Sequence, residues 1–102
     1  MSKFVYLYSG GQMAETPEAH DAAVQAWGTW FAGLGDAVTD MGNPFGAAST
    51  VGADGSAQAA GFAVGGYSII SAASLADASA MVAGCPVFQS GGSVGVYEAL
   101  AM

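Results

Sequence analysis

His20 is the only histidine in this sequence, and histidine is the side-chain type that most often serves as a general acid or base. Its neighbours offer little to orient it. Asp21 points elsewhere on a helix, and Glu18 and Val24 stand at i−2 and i+4. Two readings stay open: a catalytic acid or base, or a solvated histidine in the first turns of a helix. Tyr6, Tyr8 and Tyr67 bring hydroxyls to the rim of one cavity if their strands are adjacent. In the run Gly42-Asn43-Pro44-Phe45, Asn43 offers a polar ligand contact and Phe45 an apolar wall, although the same residues also make an ordinary turn. Trp27, Trp30 and Phe31 form an aromatic stripe at helical spacing. Such a stripe packs on a sheet, and one ring, Trp27, is free to line a ligand cleft.

Several other chemistries lack their residues. One His, one Cys and scattered acids give no metal-ligand spacing. Gly65-Gly66 and Gly91-Gly92 are not phosphate loops, because neither leads into a lysine and a helix as that chemistry requires. Cys85 has no basic neighbour to favour its thiolate. A serine nucleophile needs a histidine backed by an acid, and none is evident. No cofactor is expected.

Charge narrows the field further. Lys3 is the only basic residue against eight acids, for a net charge of −7. Nucleic-acid binding relies on several Lys or Arg at phosphates, so it is not expected here. Anionic membrane surfaces and multiply phosphorylated substrates are disfavoured for the same reason. Hydrophobic residues make up 53% of the chain and charged residues 9%. About a quarter charged is usual, so part of this surface is expected to be neutral and part covered by a partner. The apolar run Phe4–Tyr8 is too short for a signal-peptide core and reads as a strand. No apolar stretch is long enough to span a membrane. The single cysteine allows no intrachain disulfide, which fits a cytoplasmic location.

The elements that must position these residues follow from pattern. Residues 1–102 read as one domain. Lys3–Tyr8 is a nearly continuous apolar strand, as a central strand would be, ending at Ser9-Gly10-Gly11. Thr16-Pro17-Glu18 opens a helix that runs to about Leu34, with Gly28 inside it to allow close contact with the sheet. Asp36–Met41 is a short strand. Ala47–Val51 and Ser56–Ala59 form a hairpin around Asp54-Gly55. Ala63–Ser71 is a strand, and Ser74 caps a helix that runs to Val82 before Gly84-Cys85-Pro86. Ser93–Ala99 is the last strand, with Val94, Val96 and Glu98 on one face. The order is α+β, a ferredoxin-like βαββαβ with an extra hairpin. Its antiparallel sheet should carry two helices on one face, leaving the other for a second protomer.

Several segments, in this order, resemble the YCII-related (DGPF-type) family. They are Val5-Tyr6-Leu7-Tyr8, Trp27 through Asp36, Gly42-Asn43-Pro44-Phe45, Gly65 through Ile70, Ser74 through Ala78, Ala83-Gly84-Cys85-Pro86 and Gly92 through Val96. The Asp-Gly-Pro-Phe signature itself is replaced by Ala59-Ala60-Gly61-Phe62. The resemblance implies a dimeric α+β barrel with a cleft between sheet and helices. Some relatives are thought to be enzymes that use a histidine and an aspartate, and relatives include lactone-processing enzymes. Three functions follow as expectations. The first is a homodimer binding a small, largely apolar ligand through Tyr6, Tyr8, Trp27, Asn43, Phe45 and Tyr67. The second is an isomerase or lyase acting on a lactone-type substrate through His20. The third is a non-catalytic interaction module.

Overall fold

The computed structural model describes residues 1–11, 15–59 and 63–102. Most of the stretch expected to hold the family signature, 60–62, lies outside the described residues.

Among the described residues six strands and two α-helices follow in the order β1 (Ser2–Ser9), α1 (Pro17–Leu34), β2 (Val38–Asp40), β3 (Ser49–Val51), β4 (Ala57–Ala59), β5 (Val64–Ala72), α2 (Leu75–Ala80) and β6 (Ser93–Ala99). The fold is α+β. Four strands form an antiparallel sheet in the order β2-β5-β1-β6. β1 is central, as its unbroken apolarity anticipates. Among the described residues β3 and β4 pair only with each other, from Ser49 opposite Ala59 to Val51 opposite Ala57. Their turn is closed by Asp54, whose Oδ1 accepts the Ser56 backbone N–H at 2.9 Å and its hydroxyl at 2.7 Å. These two bonds favour the carboxylate and hold its pKa below the ordinary value.

Strand alternation separates two faces. Phe4, Tyr6 and Tyr8 of β1 are buried, as are Ser68, Ile70 and Ala72 of β5. Trp30 of α1, Ala78 of α2 and Val82 pack on this side, so both helices serve one core. Val94 and Val96 of β6 pack against it, opposite Tyr8 and Tyr6. Val5, Leu7, Tyr67 and Ile69 alternate to the other face and are half-buried, while Tyr97 there is exposed.

Helix boundaries follow local chemistry. The Thr16 hydroxyl accepts the Ala19 N–H at 3.1 Å, and Pro17 takes the first turn, where no N–H is needed. Ser74 caps α2 by accepting the Asp77 N–H at 3.1 Å. Several details depart from the sequence expectation, among them the end of α2 at Ala80, short of the expected Val82. The strand expected over 36–41 is shortened to Val38–Asp40, because Gly35–Ala37 continues α1 as a 3-10 turn. Pro86–Ser90 forms a second such turn, for which Pro86 supplies a preset φ. Gly28, expected to bring α1 close to the sheet, does not do so: among the described residues a Cβ built there meets nothing within 4 Å.

Candidate functional site

The antiparallel pairing of β1 and β5 places the C-terminal end of β1 beside the start of β5. Between this end of the sheet and α1 lies an open cleft of about 950 Å³. Its helix wall is one stripe of α1: His20, Val24, Trp27, Gly28 and Phe31. The spacing of 4, 3, 1 and 3 keeps these residues on one side of a helix. Its floor holds Tyr8 and Ser9 with Val64 to Ser68. The segment Met41–Pro44 forms the outer wall, and Val87 and Ser90 add an edge.

The outer wall is strapped to β5 by backbone and side-chain bonds. Tyr67 N donates to Asn43 O at 3.2 Å and Phe45 N to Gly65 O at 2.8 Å. Gly42 N donates to Asp40 Oδ1 at 2.8 Å, tightening the turn. Beneath the wall runs a buried relay. The Tyr8 hydroxyl donates to Ser68 Oγ at 2.7 Å, and the Ser68 hydroxyl donates to Met41 O at 2.6 Å. Ser68 is fully buried, so it has no water to replace either bond. Burial pushes the Tyr8 phenol above its ordinary value, and the Ser68 bond works against that rise. Ser68→Ala therefore leaves Tyr8 without its acceptor and Met41 O without that donor. The expected loss is about 2 kcal/mol in urea unfolding, with a weakened outer wall. An unchanged midpoint would show that the relay contributes nothing.

Trp27 meets two neighbouring rings edge to face. Tyr8 and Trp27 lie 4.9 Å apart at 77°, and Trp27 and Trp30 lie 5.8 Å apart at 83°. Such offsets suit the ring quadrupoles and fix the indole of Trp27 against β1. Trp30 belongs to the core, while Trp27 and Phe31 are half-buried and line the cleft.

Of the residues singled out from sequence, His20, Tyr8, Trp27, Asn43 and Tyr67 line this one cleft, although the ring of Tyr67 stands on the far face of the sheet. Two do not. Tyr6 is fully buried in the core, stacked on Trp30 at 6.1 Å, and its hydroxyl donates to Ala78 O at 2.5 Å. It therefore has no hydroxyl to offer at a rim, and burial pushes its pKa up to about 12. Phe45 stands outside the cleft lining, where its ring stacks on Tyr67 at 5.6 Å and 17°. The alternation that sends Tyr67 to the far face of the sheet carries Phe45 with it. Tyr8 lines the cleft, but its hydroxyl is committed to Ser68.

Ser68 is absent from the residues that sequence pattern singles out, although a signal exists. It occupies the inward position of a strand whose next inward residues are Ile70 and Ala72, and a buried hydroxyl there needs partners. Val24 carries no signal beyond helical spacing, and Gly28 carries that of a glycine in a helix interior.

The cleft is nearly free of charge. Among its described lining residues there is no Lys, Arg, Asp or Glu. Among the described residues no group of three or more His, Cys, Asp or Glu could hold a metal ion, and no helix is long and apolar enough to cross a membrane. No protein-family model matches the chain, and neither curated proteins nor solved structures give a match.

Proposed function

We propose that this chain is a small homodimeric binding protein that takes a small, largely apolar ligand in the cleft between α1 and the sheet. The observation that carries this reading is the cleft itself. It has the volume of a small-molecule site, aromatic walls and, among its described lining residues, no carboxylate or ammonium group. The strand order β2-β5-β1-β6, with every pair antiparallel and both helices on one face, supports a ferredoxin-like βαββαβ core to which β3 and β4 add a hairpin. Val5, Leu7 and Ile69 on the other face give a second protomer apolar area to cover, as in a dimeric α+β barrel. The YCII-related resemblance points the same way. A cytoplasmic location accords with the lone, buried Cys85.

A second reading is favoured by one observation: His20 lines the cleft. There it could exchange a proton with a bound lactone-type substrate, as an isomerase or lyase would require. A thermal-shift screen against neutral and acidic metabolites, lactones and aromatic acids included, tests both. A ligand at about 100 times its Kd adds about 2.7 kcal/mol, a shift of several degrees for a domain this size. Binding is expected to survive in His20→Ala. Turnover by the wild type that His20→Ala abolishes, with the melting temperature intact, would establish the enzyme reading. A flat screen with a dimer in light scattering would leave an interaction module, and a monomer at micromolar concentration would refute the shared dimer.

A further inference from the structure

Gly28 sits in the interior of α1, where glycine weakens a helix relative to alanine. Neither of the usual reasons for glycine applies. Its φ is not positive, and a Cβ built on it meets nothing within 4 Å among the described residues. The turn above and the turn below it are Val24 and Phe31, both cleft-lining, and Trp27 stands beside it. The missing Cβ therefore leaves a notch of bare helix backbone in the wall of the cleft. Gly33 is a built-in comparison. It lies in the same helix with nothing within 4 Å of its Cβ position, but it is not part of the cleft lining.

A flat ring can lie against helix backbone only where no Cβ stands in its way. Trp27 and Phe31 on either side favour an aromatic occupant. Charge selects further. A chain of net charge −7 disfavours an approaching anion, and the described lining has no Lys or Arg to receive one. A cation finds no carboxylate among the described lining residues to replace its lost hydration. We infer that Gly28 is the specificity-determining position of the cleft, and that the ligand is an uncharged, flat, ring-bearing molecule laid over the helix at that notch. The inference rests on the cleft being a binding site.

Calorimetric titration with three molecules of one shape tests it: 2-naphthamide, 2-naphthoate and 2-naphthamidine. The neutral amide is expected to bind, and the anion and cation to bind at least about tenfold more weakly. Gly28→Ala is expected to melt several degrees higher, through helix propensity, while losing about tenfold in affinity for the amide. Gly33→Ala should gain similar stability with affinity unchanged. If the amide binds Gly28→Ala within about twofold of wild type, the notch is not the contact, although the cleft reading stands. Equal or tighter binding of the naphthoate or the naphthamidine overturns the selection for an uncharged ring in the same way. If none of the three binds the wild type at millimolar concentration, the cleft reading fails together with the inference.

Discussion

Gly42→Ala is expected to cost the fold about 4 kcal/mol, near the upper end for a single substitution. Gly42 has φ +77°, a left-handed conformation that strains any residue with a Cβ. Steric overlap adds more than this strain. A Cβ built there falls 1.7 Å from the carbonyl oxygen of Tyr67 and 2.6 Å from its carbonyl carbon. Both are backbone atoms of β5, so no side chain can rotate away. Relief requires Met41–Pro44 to lift off the strand. That breaks the Tyr67 N to Asn43 O bond and pulls Met41 O away from the Ser68 hydroxyl. The outer wall of the cleft goes with it, so ligand binding should fall together with stability. Gly46→Ala is the control: its φ is not positive, its Cβ position has nothing within 4 Å, and it should change stability by less than about 0.5 kcal/mol. Urea unfolding of the two variants distinguishes them. A Gly42→Ala midpoint equal to that of wild type would mean the segment is not held against β5.

What can be read from the sequence depends on how local the cause is. Thr16-Pro17 and Ser74 act within one turn of their own helix, and both caps stand where their chemistry placed them. Alternation in β1 is equally local, and it sorts Phe4, Tyr6 and Tyr8 onto one face. It cannot say how deep each lies. Tyr6 and Tyr8 share a face, yet Tyr6 is sealed under Trp30 and Ala78 while Tyr8 reaches the cleft at the strand's end. That difference depends on where α1 crosses the sheet, a tertiary fact with no trace in β1. Phe45 shows the converse. Its loop is legible as a loop, but the bridge between Pro44 and Gly66 sets which face the next side chain takes. His20 is visible as a residue type, and only the packing of α1 puts it in one cleft with Asn43 and Tyr8.

The protein should also be unusually fragile at alkaline pH. Three groups that ionise by losing a proton meet in one core: Tyr6, Tyr8 and the Cys85 thiol. Burial raises all three in the folded chain, Tyr6 from 10.0 to about 12 and Cys85 above 9.0, with Tyr8 raised as well. Each also opposes its neighbours, since a thiolate at Cys85 would repel a phenolate at either tyrosine. The sign follows from which state binds the protons. Above about pH 9 the unfolded chain loses its thiol proton first, and above about pH 10 its phenol protons. The folded chain keeps them, so rising pH favours unfolding. Stability is full below about pH 9, declines from there, and is lost as pH climbs through the raised folded values. The urea midpoint should therefore hold steady from about pH 7 to 8 and drop steeply above about 9. With Tyr67 and Tyr97 replaced by Phe, phenolate absorbance near 295 nm should rise in step with the loss of far-ultraviolet circular dichroism, because Tyr6 and Tyr8 ionise only as the core opens. Tyr6→Phe keeps the ring and removes one of the three protons. It should cost about 1 kcal/mol at neutral pH for the lost bond to Ala78 O, yet decline less steeply above about pH 10. A midpoint unchanged to about pH 11, or phenolate signal for Tyr6 and Tyr8 before any loss of structure, would mean that these groups meet water in the folded state. The cleft over Tyr8 would then be open down to the relay that holds its outer wall.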